Sequence, residues 1–433
     1  MAAFRPIFAI SLFSLLSLAQ AQTPYTISAQ PDAAWTALFD RMSGWTGADG
    51  IFAIPLSGYE GPGRVASGKT LFIFSDTFVG TVNAQTGARQ NTSFIHNSMA
   101  ILDGALPDSS RIRFIWGGTN NAPLTVFTPS TPKGLANPGS WYWLQDGFFN
   151  AGNVYVFTIL VSPNPTGPPG FQFQENGVTM IKIPLGTNGE PDLTRATQMD
   201  VPLFYRNGTT TLFFGGAGVM PNTVAAGAHT PDGYVYVYGR LQGSLAVARI
   251  LPAQIEDTTK WTYWNGSVWS ANIAAASSLG QGGAELSVTP IPDGPLVGKY
   301  LMCSSVMNGD VFIRVGNTPV GPFAAAVNVY HPTETNTAQA IYTYNAKAHP
   351  SISTSGSDLL ITYNVNTTDW NLNLANADIY HPRFIRLQIT PNTSILPLKK
   401  SQNAGYFWPN YSIFAKRGRN AVGRRITLLK EFR

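Results

Sequence analysis

This sequence predicts an all-β chain folded as a five-bladed β-propeller, and three observations carry that prediction. Runs rich in Val, Ile, Phe, Tyr and Thr, bounded by Gly, Pro, Asn and Asp, recur throughout, as in "TLFIFSDTF", "NVYVFTILV", "YVYVYGRL" and "LLITYNV". Helical periodicity is good in only one stretch, "DAAWTALFDRM" at 32–42. The strand-like runs fall into five units, near 45–105, 138–187, 203–252, 278–325 and 345–390, each long enough for four short strands. A two-sheet sandwich is the alternative architecture.

The ends of the chain read differently from its body. The opening "MAAFRPIFAISLFSLLSLAQAQ" has one charge, an apolar run and a small-x-small site at Ala19-Gln20-Ala21, the pattern of a secretory signal over 1–21. The expected product is secreted and extracellular. Six Asn-x-Ser/Thr triplets, at Asn91, Asn207, Asn265, Asn366, Asn392 and Asn410, suit that route. A single cysteine, Cys303, cannot form an internal disulfide, so stability is expected from a packed core over 22–395.

Net charge is +5, but nine basic residues and one acid lie from Lys399 onward, leaving 19 basic and 22 acidic residues before them. The basic character belongs to a tail, 396–433, expected to be poorly ordered, and gives no ground for a nucleic-acid partner. No further apolar run reaches about 18 residues, so no membrane span is expected. A monomer acting on a polysaccharide is the expected state.

Propeller geometry brings one polar residue from the innermost strand of each blade to a common hub. The candidates are Asp49 in "GADG", Asp146 in "WLQDGFF", Asn222 or His229, Glu285 in "GGAELSV" and His349 in "AKAHPSIS". Asp76 in "FSDTF" joins them from the next strand. Only 12% of the residues are charged. Carboxylates set among apolar neighbours are therefore notable, because an unpaired buried charge costs several kcal/mol. Paired carboxylates can protonate a leaving glycosidic oxygen and activate a water. Each also has a structural reading: Asp49 and Asp146 as turn residues, Asp76 as a strand-end cap, Glu285 as a loop carboxylate, His349 and His96 as donors to backbone carbonyls.

Aromatic residues near turns or strand starts, Trp45, Trp141, Tyr142, Trp143, Trp370 and Trp408, offer faces for sugar rings; Trp45 and Trp143 lie closest to Asp49 and Asp146 in sequence. Neither HExxH nor a Cys/His cluster occurs, so no metal or other cofactor is expected at the reacting centre; a structural calcium in the channel is left open. GxSxG is missing as well.

The segments "GWTGADGIFAIPLSG", "KTLFIFSDTFVG", "FIHNSMAIL" and "DIYHPRFIRLQI" resemble the secreted family catalogued as domain of unknown function 4185, part of which is glycoside hydrolase family 183. That resemblance implies a five-bladed propeller cleaving an arabinan-like furanoside with inversion. It implies Asp49 and Asp76 as acid and base, with Asp146 and Glu285 in support. His96 and Asn97 would line the first blade, and Arg383 would touch substrate or pin the last one. Trp143 and His349 complete the expected binding residues. A carbohydrate-binding propeller without catalysis is the competing function.

Overall fold

The computed structural model describes residues 25–63, 68–130, 139–168 and 170–392. The expected signal segment 1–21 and basic tail 396–433, with Trp408 and Asn410, lie outside the described residues.

Five sheets of four or more strands follow one another among the described residues. The first holds Phe52–Pro55, Lys69–Phe74, Ser98–Asp103 and Ile112–Ile115. The second holds Trp141–Asn150, Asn153–Pro163, Phe173–Pro184 and Thr197–Asp200. The third is built on Thr210–Pro221, Val235–Leu241, Ser244–Ile250 and Thr262–Trp264, with Phe204–Asn207 and Trp269–Ser270 at its margins. The fourth holds Leu286–Pro290, Tyr300–Ser305, Val311–Gly316 and Val327–Tyr330. Ile341–Ala348, Asp358–Thr367 and Arg383–Pro391 make the fifth, whose outermost strand is Tyr25–Pro31 from the other end of the sequence.

Alternation within the strands shows how these sheets pack. In "KTLFIF", Phe72 and Phe74 join a cluster with Leu360 and Phe384 of the fifth sheet, while Leu71 and Ile73 join one with Leu144, Val154 and Val156 of the second. Tyr155 and Phe157 point the opposite way, to Phe214 and Val237 of the third. Tyr236 and Tyr238 then meet Leu286 and Met302 of the fourth, and Leu301 and Ile313 meet Ile361 and Tyr363 of the fifth. Every sheet is thus buried on both faces, and the apolar clusters run round a closed ring, the packing of a β-propeller. The strands read as continuous apolar runs for this reason.

The sequence-marked units correspond to these sheets but stop short of their outer strands. The third extends to Ser270, and the fifth borrows Tyr25–Pro31. The expected helix is present as Ala33–Phe39, its first turn held by Asp32, whose carboxylate accepts from the Trp35 amide and from Arg386.

One further sheet positions the site. Ser43–Ala48, Thr77–Val82 and Arg89–Ile95 extend three strands of the first sheet beyond a break at Asp49-Gly50, Ser75-Asp76 and His96-Asn97. Gly50 permits the break on the first strand: its φ is +64°, and a Cβ there would meet the Ser75 hydroxyl oxygen at 2.7 Å. Arg89 fastens this extension to the fifth sheet's loop, donating to the carbonyls of Thr46, Asn373 and Ile379.

Candidate active site

The break lines up three side chains on adjacent strands. Asp49 and Ser75-Asp76 stay bridged by backbone bonds, the Asp49 amide to the Asp76 carbonyl at 3.3 Å and the Ser75 amide to the Asp49 carbonyl at 3.0 Å. Asp76 Oδ1 lies 2.9 Å from His96 Nδ1. Residues 27 positions apart in sequence therefore do meet, and both carboxylates line one cleft of about 400 Å³. Its other walls include Trp143, Gln145, Glu285, Tyr342, Tyr344 and Tyr380.

The fifth sheet supplies the group that addresses Asp49 directly. Its first strand, Ile341–Ala348, shifts register between Tyr344 and Lys347, with Asn345 at φ +60°. The Tyr344 hydroxyl donates to Asp49 Oδ2 at 2.6 Å. Burial, the neighbouring Asp76 and then Glu285 push the Asp49 carboxyl up to about 8, against the opposing bond from Tyr344. Asp49 therefore keeps its proton to a higher pH than an ordinary carboxyl. Tyr380 holds a left-handed backbone, φ +73°, a conformation that costs a bulky residue about 1–2 kcal/mol. Its hydroxyl is raised by burial and by both carboxylates.

Glu285 forms the cleft floor and is paired with Lys347, whose ammonium also sits 4.4 Å from the centre of the Phe52 ring. Both side chains are buried, 9% and 2% exposed. Beneath them a narrow channel is lined by Glu60, Asp146, Lys347 and His349.

The structure does not bring every expected residue to the cleft. Asp146 lies on the channel side, where Oδ1 accepts from Gly147 N–H at 2.8 Å and Oδ2 from Val219 N–H at 2.7 Å, clamping the second sheet to the third. Burial lifts its carboxyl to about 7. His349 is in the same channel, 2.6 Å from the Thr362 hydroxyl. Burial, and secondly Lys347, hold it down at about 3, so its imidazole is neutral. Asn222 is buried against Thr230 and Asp232, and His229 lies beside Gly298; neither reaches the cleft.

Trp45, expected to stack on sugar, is 1% exposed and lies against Phe114 with ring centres 4.8 Å apart. It is core because its strand is enclosed by the helix Ala33–Phe39 and the first sheet. Asn97 is also fully buried; its amide donates to the Phe127 and Tyr142 carbonyls and accepts from the Phe127 amide. Asn97→Ala should therefore cost about 1–3 kcal/mol in urea unfolding by stranding those backbone groups, with kcat unchanged. Arg383 takes the pinning role, bonded to the Asp378 carbonyl and carboxylate and 3.3 Å from Glu334. Asn366, one of the glycosylation triplets, is turned into the cleft, with its amide on Tyr344 and Asn373. Trp143, Glu285, Asp49 and Asp76 line the cleft, and His96 contacts Asp76 from beside it.

Sequence reasoning did not single out Tyr342, Tyr344, Tyr380, Lys347, Glu60 or the Glu175–Arg240 ion pair, whose members both line the cleft. The alternation in "IYTYNAKA" was a usable signal for Tyr342 and Tyr344 on one strand face.

The fold and site define a β-propeller with an acidic cleft, in which burial and the neighbouring Asp76 raise the carboxyl of Asp49. The chain belongs to the family described as domain of unknown function DUF5005, whose profile matches residues 32–412. It is not assigned to the family 4185 that the motifs resemble. A Bacteroides ovatus protein provisionally assigned as a hydrolase shares the fold at TM-score 0.61 and 19% identity, over 85% of this chain and 92% of that one. A levansucrase variant from Bacillus subtilis aligns more loosely, at TM-score 0.46 and 12% identity over 86% and 94% of the two chains. So does an exo-β-1,3-galactanase from Phanerochaete chrysosporium, at 0.40 and 11% over 84% and 64%. No curated protein matches the chain.

Proposed function

We propose that this chain is a secreted glycoside hydrolase that cleaves a polysaccharide by acid/base catalysis between Asp49 and Asp76. The observation that carries the reading is the meeting of Asp49 and Asp76 on adjacent strands of one open cleft, where burial and Asp76 push the Asp49 carboxyl upward. Asp49 gives its proton to the leaving glycosidic oxygen as the bond to the anomeric carbon breaks. Asp76 takes a proton from the water whose oxygen attacks that carbon, and exchange with solvent then resets both groups. His96 holds Asp76 Oδ1 and orients the carboxylate. Tyr344 orients Asp49. Glu285, kept in place by Lys347, adds negative charge that favours the protonated acid.

Inversion of the anomeric centre and an arabinan-like furanoside substrate are the finer parts of this reading, supported by the motif resemblance. The sequence of 1–21 supports action outside the cell. Incubation with arabinans, galactans and wall glycans, followed by reducing-end analysis and NMR of the first-formed anomer, tests it. Asp76→Asn should lower turnover by at least about 10²-fold with the fold intact. Unchanged turnover in that variant would take Asp76 out of the mechanism, and saturable binding without product would make the protein a lectin.

A further inference from the structure

Beside the cleft lies a second depression of about 400 Å³, which Asp76 lines but Asp49 does not. The two share Asp76, Trp143, Phe173, Tyr342, Asn366 and Tyr380, so they are continuous and meet at Asp76. Asp49, Glu285 and Tyr344 face only the first; Phe94, His96, Trp141 and Trp370 face only the second.

Its surface comes from three directions. Phe78 and Phe94 project from the extension of the first sheet, and Trp141 and Trp143 from the first strand of the second sheet. Trp370 opens the short helix Trp370–Ala375, whose first turn is capped by the Asp369 carboxylate. Trp370 is 48% exposed, yet its ring is fixed, 5.1 Å from Phe94 and 5.4 Å from Phe78 between centres. Trp141 is fixed in turn by stacking on His96 at 4.6 Å. Rigid, partly exposed aromatic faces are combined here with the amide and hydroxyl groups of Gln172, Asn366 and Thr368. That combination suits sugar rings, whose C–H faces stack while their hydroxyls bond to polar edges. Among the described residues, the lining holds no Lys or Arg to recognise an anionic polymer, and Asp76 would repel one.

We infer that this groove is a second carbohydrate-binding site, which seats at least one further sugar of a neutral glycan on the His96 side of the scissile bond. The inference rests on the glycosidase reading and deepens it: the substrate spans the carboxylate pair, with sugar on both sides.

Affinity electrophoresis tests the groove independently of turnover. The full chain carrying Asp49→Asn, which leaves the gel matrix uncleaved, is run through native gels containing arabinan, β-1,4-galactan, β-1,3-glucan or polygalacturonate. The expected result is retardation by one or more neutral polysaccharides, weakened about tenfold by adding Trp370→Ala and largely restored by Trp370→Phe, with melting unchanged. Equal retardation with and without Trp370→Ala would overturn the inference, as would retardation by polygalacturonate alone or by none of the four. Trp370-dependent retardation with no reducing ends released by the wild-type chain would overturn the hydrolase reading and leave the groove standing as a binding site.

Discussion

Asp49→Asn is expected to lower turnover by at least about 10²-fold and, in the same protein, to raise stability at pH 7. The activity loss follows because Asn cannot donate the proton that the leaving oxygen needs. The stability gain follows from linkage. The Asp49 carboxyl moves from 3.8 to about 8 on folding, so between those values the native state holds a proton that the unfolded chain has released. The wild-type contribution is present in full below about pH 4 and declines as pH climbs to 8. Asn does not titrate, so the stability difference between variant and wild type opens from about pH 4 upward. Each pKa unit is worth about 1.4 kcal/mol, which makes the gain a few kcal/mol near neutrality. Urea unfolding of both proteins from pH 4 to 8 measures it, and parallel stability curves would show that Asp49 is not held protonated. The wild-type rate should also fall as pH rises through about 8, where the acid loses its proton.

Lys347→Met should destabilise the chain by about 3–5 kcal/mol. The physical reason is that Glu285 would stay in the floor of the cleft without its cation, and a lone buried carboxylate costs far more than a missing ion pair. Removing both charges separates these effects. Lys347→Met with Glu285→Gln should recover most of the loss, because a neutral amide replaces the stranded anion. A single variant within about 1 kcal/mol of wild type, or a double variant no better than the single, would show that the pair is not the buried couple its 9% and 2% exposures indicate.

What the sequence made legible was governed by distance along the chain. Asp49 and Asp76 stand out as carboxylates inside apolar strand-like runs and are paired through the motif resemblance; the structure places them on adjacent strands, with His96 following at the same break. Glu285 was visible as a carboxylate poised before a strand, but its partner Lys347 was not, since the two come from different sheets 62 residues apart. Asp146 lies on an inner strand, whereas His349 falls just past the end of one, and a shift of register at each strand determines which end of the hub a side chain faces. The strand carrying Asp146 shifts between Leu144 and Gly147, and the one leading to His349 between Tyr344 and Lys347. Composition does not signal such shifts. Trp45 was misread because closeness in sequence to Asp49 says nothing of the face its strand turns to the helix.

The pairing of Tyr25–Pro31 with Arg383–Pro391 has a chemical consequence. Tyr344, which bonds to Asp49, and Glu285, which helps keep it protonated, both belong to parts of the chain synthesised long after the first sheet. In a chain that ends before these parts, neither the Tyr344 bond nor the Glu285 charge acts on Asp49. The proton affinity of Asp49 is thus a property of the closed ring, complete only when the strand Arg383–Pro391 docks beside Tyr25–Pro31.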